Sequence, residues 1–377
     1  MCCEQDMKIK DDIVLWFLRN VILPRLEIID KSGFIGEKSF LDKDIIIREI
    51  FLPESLISKL ETKAGKKIYN IGKIFGFGYA NFSKLPTVRT VPNHKKLSEF
   101  VYFLVKDIEG MYASKISHSL NFDKKLFTMK MENYIICRKN GLGYIFSEGG
   151  IAGIWAYACE DLTIEAVQPK CQGRGDKECL VIAAPYETLI KMGYKPIRCE
   201  EIEKVEMSQE YKKFNEIRPT KWATKSLKNL IDSGIFEYKH GQVTYKGERF
   251  FLCEASFMYI LEKELKKIKN GLKILWDCSF EFGKNLAKIS GKQDPCKFIT
   301  DFFSALGFGD ILVLKKKGKY EITVKYFPWF NYEKEINFTV FRGILSGVIS
   351  GFTGKEIVLK KIEKDTREGN LSLYITE

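Results

Sequence analysis

Histidine is scarce in this sequence, which has only His94, His118 and His240 among its 377 residues. None of the three lies in a nucleophile motif or at metal-ligand spacing, so imidazole chemistry is poorly supported. The sequence also lacks a Walker A motif, a dinucleotide-binding fingerprint, a nucleophile elbow and a zincin motif. These absences favour a binding protein over an enzyme, and we predict no catalytic residue.

Long hydrophobic runs are absent as well. The strongest early apolar run, Ile13 to Leu23, contains Arg19 and is too short to cross a bilayer. The first residues are followed by charged side chains rather than by the apolar core of a signal peptide. We therefore expect a cytoplasmic protein without a membrane span. Its ten cysteines are expected to be free, buried or metal-bound rather than a disulfide framework.

The composition is that of a globular protein with a basic surface. Hydrophobic residues make up 45% of the chain and aromatic residues 13%, enough to build the cores of two ordinary domains. The net charge of +12 favours contact with nucleic acid or another anionic surface. The alternative is that abundant lysine serves solubility alone.

The two halves of the sequence repeat the same patterns in the same order. Phe75-Gly76-Phe77-Gly78 ends a predicted long helix in the first half, and Phe280-Glu281-Phe282-Gly283 does so in the second. Further on, the glycine-spaced segment Gly149–Gly153 matches Gly343–Gly347. We predict two tandem copies of one unit.

The predicted boundaries place the first copy at 1–196, a charged linker at 197–219 and the second copy at 220–377. In each copy a long helix and a second helix precede two strands, a glycine-spaced helix and two final strands. Hairpin-connected strands predict an antiparallel sheet packed with helices, an α+β fold. The predicted long helices are Pro53–Phe75 and Ala255–Phe280. The predicted strands are Leu126–Cys137, Thr163–Lys170, Cys179–Ala183, Tyr320–Phe327, Lys355–Lys361 and Leu371–Thr376.

Glycines at Gly149 and Gly153, matched by Gly343 and Gly347, place small residues on one helix face. Each glycine costs a helix about 1 kcal/mol relative to alanine. A cost repeated in both copies indicates a helix that approaches another part of the molecule closely. Close packing against the sheet and the wall of a ligand pocket are the two explanations.

The segment Gly149–Ala183 resembles the end of the 4-vinyl reductase (hydrocarbon-binding) domain. The shared features are the glycine-spaced helix, the strand after it, and Cys171 and Cys179 with Gly175 and Asp176 between them. The family includes sensory modules of aromatic-responsive transcription activators and archaeal hydrocarbon-binding proteins, and its fold is similar to that of TRAPP subunits. The resemblance implies a pocket for a small hydrophobic ligand, and two fused copies imply a pseudo-dimer within one chain.

The resemblance also implies a zinc site that is incomplete here. Sensor members bind zinc through an early cysteine, a glutamate three residues before the paired cysteines, and the pair itself. The pair corresponds to Cys171 and Cys179, whereas Gln168 and approximately Tyr144 occupy the other two positions. Since zinc usually takes four ligands, we expect free structural thiols, with zinc as one alternative and a Cys171–Cys179 disulfide as another. Three residues are candidates to complete the zinc set: Glu165, Cys159 and Cys137.

In the second copy the paired cysteine positions are Asp365 and Leu373. That copy lacks the two sulfur ligands. We therefore expect a ligand or metal role to be confined to the first copy.

A cluster of aromatic and glycine residues in the first copy is expected to share one core. Such a core either opens a cavity for a hydrophobic or aromatic ligand or is filled by its own side chains. The predicted pocket residues are Phe75, Phe77, Phe100, Phe103, Tyr134, Gly149, Gly153, Trp155 and Tyr157.

The rival hypothesis is binding to DNA or RNA. Residues 225–234 and the two strand-like segments after them resemble the last helix and wing of a winged-helix domain. A complete winged helix needs two further helices, so the ordinary start of the second copy is the favoured interpretation. A third hypothesis is a TRAPP-like scaffold with a protein partner. The nucleic-acid candidates are Lys221, Lys225, Lys228, Lys239 and Lys246.

Overall fold

The computed structural model describes residues 28–38, 46–199, 202, 222–239, 242–332, 334–362 and 371–376. Within these residues, antiparallel sheets pack against helices. The predicted α+β class is therefore confirmed.

The first part of the chain supplies seven strands and most of the residues discussed below. The strands are β1 (Ile28–Lys31), β2 (Phe34–Lys38), β3 (Ile46–Pro53), β4 (Lys115–Asn121), β5 (Leu126–Glu132), β6 (Ile164–Lys170) and β7 (Cys179–Pro185). The helices are α1 (Glu54–Ala64), α2 (Lys67–Phe82), α3 (His94–Tyr112), α4 (Cys137–Asn140), a π-helical segment (Tyr144–Gly150) that continues into α5 (Ile151–Ala158), and α6 (Tyr186–Lys191).

The second part repeats this order. Its strands are β8 (Glu237–Lys239), β9 (Gln242–Tyr245), β10 (Glu248–Glu254), β11 (Asp310–Lys316), β12 (Lys319–Lys325), β13 (Val358–Ile362) and β14 (Leu371–Thr376). Its helices are α7 (Leu227–Asp232), α8 (Ser256–Lys266), α9 (Gly271–Ser290), α10 (Pro295–Ala305) and α11 (Thr339–Thr353).

Two four-stranded antiparallel sheets have the same strand order. The first runs β4-β5-β7-β6 and the second β11-β12-β14-β13. In each, a hairpin is followed by the glycine-spaced helix and then by the last two strands. Alternate residues of β5, such as Phe127 and Met129, are buried, which is the two-residue period of a strand with one face on the core.

A third sheet joins the two parts of the chain. Its six strands have the order β1-β2-β3-β10-β9-β8, so strands from both predicted copies share one sheet. The junction is the antiparallel pair of β3 and β10, in which Leu52 lies opposite Phe251 and Glu49 lies opposite Glu254. Most residues of β3 and β10 are buried, so this pairing lies within the core.

Two buried arginines connect the parts reciprocally. Arg48 of β3 donates to the carbonyl of Tyr326, 3.1 Å away, just after β12. Arg249 of β10 donates to the carbonyl of Asn133, 2.9 Å away, just after β5. Asn133 and Tyr326 both have φ of 53°, so the two turns that accept these hydrogen bonds have similar backbone conformations.

Each predicted long helix is two helices. The helix expected over Pro53–Phe75 is interrupted at Gly65, where φ is 60°, and the one expected over Ala255–Phe280 is interrupted at Asn270, where φ is 61°. Residues with positive φ leave the right-handed helical region, so the helix must stop there. The two aromatic–glycine motifs consequently lie inside α2 and α9, and the prediction that they end helices is wrong.

The glycines inside these helices permit close helix–helix contact. A Cβ added to Gly76 of α2 would lie 2.2 Å from the carbonyl oxygen of Gly150, and one added to Gly153 of α5 would lie 2.2 Å from that of Lys73. In the second part, a Cβ on Gly347 of α11 would lie 2.1 Å from the oxygen of Phe280. The expected close packing is therefore present, but the partner of these glycines is a helix rather than the sheet.

The predicted strands form with shifted ends. The strand predicted over Leu126–Cys137 stops at Glu132, because Asn133 takes a positive φ and the chain turns into α4. The strand predicted to begin at Lys355 begins at Val358. The earlier end of β5 affects the candidate site directly. Residues 133–137 leave the sheet there, which places Tyr134 at the cavity and Cys137 in the cysteine cluster described below.

Candidate functional site

Three buried cysteines converge between β7 and α4. Cys137 begins α4, Cys171 follows β6, and Cys179 begins β7. Their sulfur atoms all lie within 4.8 Å of one another, and the Sγ atoms of Cys137 and Cys179 are 3.5 Å apart. A cluster of this composition can hold a metal ion.

A tight turn delivers Cys137 to the cluster. Ile136 has φ of 58° and ψ of −62°, and the amide of Cys137 donates to the carbonyl of Ile135 at 2.5 Å. This is the geometry of a γ-turn, which is rare and strained for a β-branched residue. The carboxylate of buried Glu54 accepts from the amide of Ile136 at 2.9 Å and holds the turn in place. Such strain costs about 1–3 kcal/mol and is typical of functional sites.

The loop between β6 and β7 presents the other two sulfurs. Backbone amides donate to them: Gly173 to Cys171 Sγ at 3.2 Å and Gln172 to Cys179 Sγ at 3.4 Å. The carboxylate of Asp176 accepts from the amide of Cys171 at 2.7 Å and closes the loop. Donors aimed at sulfur favour the thiolate form. Hydrogen bonds from the neighbouring thiols of Cys137 and Cys179 lower the pKa of Cys171, whereas burial raises the pKa of Cys137.

The side chain of Gln168 lies beside the cysteines. A Cβ added to Gly143 would meet both Gln168 Oε1 at 2.2 Å and Cys137 Cβ at 2.9 Å, so the amide and Cys137 share one small space. Gln168 is buried, and neither its Oε1 nor its Nε2 has a hydrogen-bond partner among the described residues. Unsatisfied buried amides are unusual in native proteins and call for an explanation such as an ion or water.

The structure distinguishes among the candidates for the incomplete zinc set. Of these candidates, Cys137 lies beside Cys171 and Cys179. Glu165 instead accepts from Tyr69 Oη at 2.6 Å and pairs with Lys73 Nζ at 2.8 Å, in a buried network away from the sulfurs. Cys159 is not part of the cluster. Cys171 and Cys179 are both free thiols, contrary to the disulfide alternative. Asp365 and the side chain of Leu373 lie outside the described residues.

Two carboxyl groups, those of buried Glu61 and half-buried Glu148, lie near the cluster. Burial raises the pKa of Glu61 to about 7, although Asn140 and the amide of Ile145 donate to it. Burial likewise raises the pKa of Glu148 to about 8, although the amide of Gln168 donates to it. The guanidinium of Arg174, which donates to the carbonyls of Gly141 and Gln168, is the nearby positive charge.

A half-open cavity lies on the other side of Tyr134. Its free space, including the part that opens to solvent, is about 740 Å³. Helices α2, α3 and α5, the π-helical segment and strands β2, β3 and β10 surround it. Its lining residues are Glu37, Glu49, Phe75, Gly76, Tyr79, Leu104, Ile108, Met111, Tyr112, Tyr134, Phe146, Gly150, Ile151, Ile154, Leu252 and Glu254.

The polar groups of this cavity are confined to one region. Glu37, Glu49 and Glu254 come from adjacent strands of the six-stranded sheet, and the register places Glu49 directly opposite Glu254. The hydroxyl of Tyr112, which donates to the carbonyl of Leu252 in β10, is a further polar group at the sheet. The remaining walls are aliphatic and aromatic, so the cavity has an apolar body and one polar end.

The predicted pocket residues divide into three groups. Phe75 and Tyr134 line this cavity, whereas Phe100 and Trp155 line a second, smaller cavity behind it. Phe77 packs edge-to-face on Tyr157, with ring centroids 5.5 Å apart, and neither lines these two cavities. The third group also contains Gly149 and Gly153, which contact the backbone of α2, and Phe103, which packs on Tyr102.

Sequence reasoning missed the lining residues contributed by β10. Leu252 and Glu254 belong to the second predicted copy and enter the cavity through the β3–β10 pairing. No local pattern marks them. The aliphatic residues Ile151 and Ile154, by contrast, lie in the glycine-spaced helix that the sequence predicts. Their spacing of three residues places them on one face of this helix.

The lysines of the nucleic-acid hypothesis lie around the edge of the six-stranded sheet. Lys225 and Lys228 flank the start of α7, Lys239 ends β8, and Lys246 lies in the β9–β10 turn. Lys228 pairs with Asp232 and Lys246 stacks over the Tyr245 ring, so part of their charge is engaged locally. Lys221 and His240 lie outside the described residues. The two wing-like strands are β8 and β9, which extend the shared sheet.

No helix in the described part of the chain is long and apolar enough to cross a membrane.

No protein-family profile and no curated protein sequence match this chain. Among solved structures, it is similar to the phenol-responsive sensory domain of the transcription activator PoxR with phenol, at 16% identity over 40% of this chain and 87% of that one, with a TM-score of 0.31. A vinyl-4-reductase family protein from Methanocaldococcus jannaschii matches at 20% identity over 33% of this chain and 96% of that one, with a TM-score of 0.23. Both TM-scores are below 0.5, so neither similarity establishes a function here.

The raised pKa of Glu61 predicts a pH-dependent stability. Because its pKa rises from 4.5 unfolded to about 7 folded, the native state holds this proton more tightly, and stability must fall as pH increases through that window. In Glu61→Gln, which keeps an oxygen to accept from Ile145, urea unfolding at pH 5.5 and pH 8 should show a smaller loss of stability than in the wild type. The exposed Glu99→Gln is the control and should follow the wild type. Parallel profiles for Glu61→Gln and wild type would contradict the assignment.

Proposed function

We propose that this chain binds a small apolar molecule, a hydrocarbon or an aromatic compound, and acts as a ligand-responsive regulatory protein rather than as an enzyme. The observation that carries the proposal is the 740 Å³ cavity with an apolar body and one polar end. Each roughly 100 Å² of apolar ligand surface removed from water contributes about 2.5 kcal/mol. A ligand that fills this space therefore needs few polar contacts to bind.

The chemistry around the cavity supports binding over catalysis. Neither His94 nor His118 lines it, and the described lining residues hold no nucleophilic serine, cysteine or lysine. The ionisable groups present are three glutamates and a few tyrosines. These groups suit the orientation of a polar ligand end better than a reaction that needs a nucleophile and its base.

We also propose that the chain is a tandem pair of 4-vinyl-reductase-like units, residues 1–196 and 220–377, with the linker at 197–219. Support comes from the identical strand order of the two four-stranded sheets and from the repeated glycine contacts. The units form a pseudo-dimer whose interface is the shared six-stranded sheet. A closed interface of this kind is what single-domain relatives would form by dimerising.

Filling the cavity tests the proposed function. Met111 lines it, so Met111→Trp should occupy its free space and reduce the affinity for phenol and for 1-hexanol at least tenfold in isothermal titration calorimetry. Met192, which is 44% exposed, provides the matched control, and Met192→Trp should bind like the wild type. Equal affinity in both variants, with both folded, would place any binding outside this cavity.

A second candidate role, zinc binding, is favoured by the cysteine cluster. We propose that Cys137, Cys171 and Cys179 hold a zinc ion, with the Gln168 amide oxygen or a water as the fourth ligand. In a tetrahedral site with Zn–S near 2.3 Å, sulfurs lie about 3.8 Å apart, close to the 3.5 Å between Cys137 and Cys179. The Gln168 amide, which has no hydrogen-bond partner in the described part of the chain, supports the same interpretation. When bound, the ion would lock α4 to the β6–β7 loop.

Metal analysis tests the zinc proposal. The purified chain should carry about one zinc per molecule by inductively coupled plasma mass spectrometry, and Cys171→Ser should lose most of it. Cys159→Ser, a buried cysteine outside the cluster, should retain it. Because metal binding contributes to folding free energy, chelation should lower the melting temperature of the wild type and leave Cys171→Ser unchanged. Zinc retained in Cys171→Ser would contradict the ligand set.

A further inference from the structure

A second cavity lies directly behind the first. Its free space, including the part that opens to solvent, is about 510 Å³. Four aliphatic side chains line both cavities: Leu104, Ile108, Ile151 and Ile154. The other lining residues of the second cavity are Leu85, Pro86, Phe100, Val101, Val105, Phe127, Met129, Trp155 and Ala158.

The partition between the cavities consists of flexible aliphatic side chains. Leu104 and Ile108 belong to α3, and Ile151 and Ile154 belong to α5, so these side chains separate the two cavities. Leu104, Ile108 and Ile154 are only half-buried. Small rotations about their side-chain bonds would open a passage between the two helices without moving the backbone.

The two cavities differ in polarity. The first contains Glu37, Glu49 and Glu254 at the six-stranded sheet, whereas the second has no charged lining residue and its one polar side-chain group, the indole N–H of Trp155, already donates to the carbonyl of Lys125. A polar ligand group placed in the second cavity would lose its hydrogen bonds to water and find no side-chain partner there. The geometry therefore defines a direction, with polar groups at the sheet and hydrocarbon towards Leu85 and Pro86.

We infer that the ligand is an elongated single-chain amphiphile, whose polar end lies in the first cavity and whose hydrocarbon tail passes between α3 and α5 into the second. This inference rests on the proposed function and specifies its ligand class. A single aromatic ring would use the first cavity alone. A chain of about eight or more carbons reaches the second as well.

A series of primary alcohols tests the length of the site. Titration of the full chain with 1-butanol, 1-hexanol, 1-octanol and 1-decanol should show an affinity that rises about fourfold per methylene through 1-decanol, the factor that corresponds to ~0.8 kcal/mol per buried methylene. Phenol should bind no more tightly than 1-hexanol. A plateau at 1-hexanol would overturn the inference.

Trp155 provides a spectroscopic readout of the second cavity, because it lines that cavity and not the first. Binding of 1-decanol should change the tryptophan emission, and Trp155→Phe should remove that change. Binding of 1-butanol should leave the emission unaltered. An identical response to both alcohols, or none to 1-decanol, would show that tails do not reach the second cavity.

Filling the second cavity from two different elements completes the test. Leu85→Trp and Phe100→Trp should leave 1-butanol and 1-hexanol affinity unchanged and reduce that of 1-decanol to the level of 1-hexanol. Glu99→Trp, on the exposed face of α3, is the control and should keep the full length dependence. Unchanged 1-decanol affinity in both filled variants would refute the inference. If no alcohol and no phenol binds to the wild type, the proposed function itself fails.

Discussion

The antiparallel pairing of β3 with β10 is the contact on which the rest of the described structure depends. It joins strands from both parts of the chain into one sheet and places Leu252 and Glu254 beside Glu49 at the cavity. It also brings Arg249 to the carbonyl of Asn133. The cavity is thus assembled from both parts, and a ligand bound within it would contact the interface that holds them together. Ligand binding would therefore be thermodynamically linked to association of the two parts.

The cavity and the cysteine cluster share one short segment of chain. Tyr134 lines the cavity, and Cys137, three residues later, supplies a sulfur to the cluster. The γ-turn at Ile136 lies between these two residues, and Glu54 accepts a hydrogen bond from its amide. Asn133, directly before Tyr134, accepts a hydrogen bond from Arg249. A segment anchored at both ends in this way has few alternative conformations. Its rigidity explains how a strained turn persists between the cavity and the cysteine cluster.

Part of this arrangement could be predicted from the sequence. The alternation in β5 and the Cys171–Cys179 spacing are local signals, and the structure places those residues in a strand and in the cluster. The participation of Cys137 depends on a left-handed Ile136, which no propensity favours. The aromatic–glycine motifs do not end helices as predicted, because Gly76 lies inside α2 and serves a backbone contact with Gly150. Residues that enter from β10 depend on long-range strand pairing, which local patterns do not encode.

We propose that the cavity between the β3–β10 sheet and helices α2, α3 and α5 holds an apolar ligand. Native mass spectrometry of the purified full chain is the decisive experiment, because it weighs the intact protein together with whatever it carries. We expect a species heavier by one small organic molecule than the 43.6 kDa chain with its zinc, and this molecule should be released on denaturation in organic solvent. The chain should regain such a species on incubation with 1-octanol. A spectrum that shows no bound organic molecule before or after that incubation would refute ligand binding in this cavity.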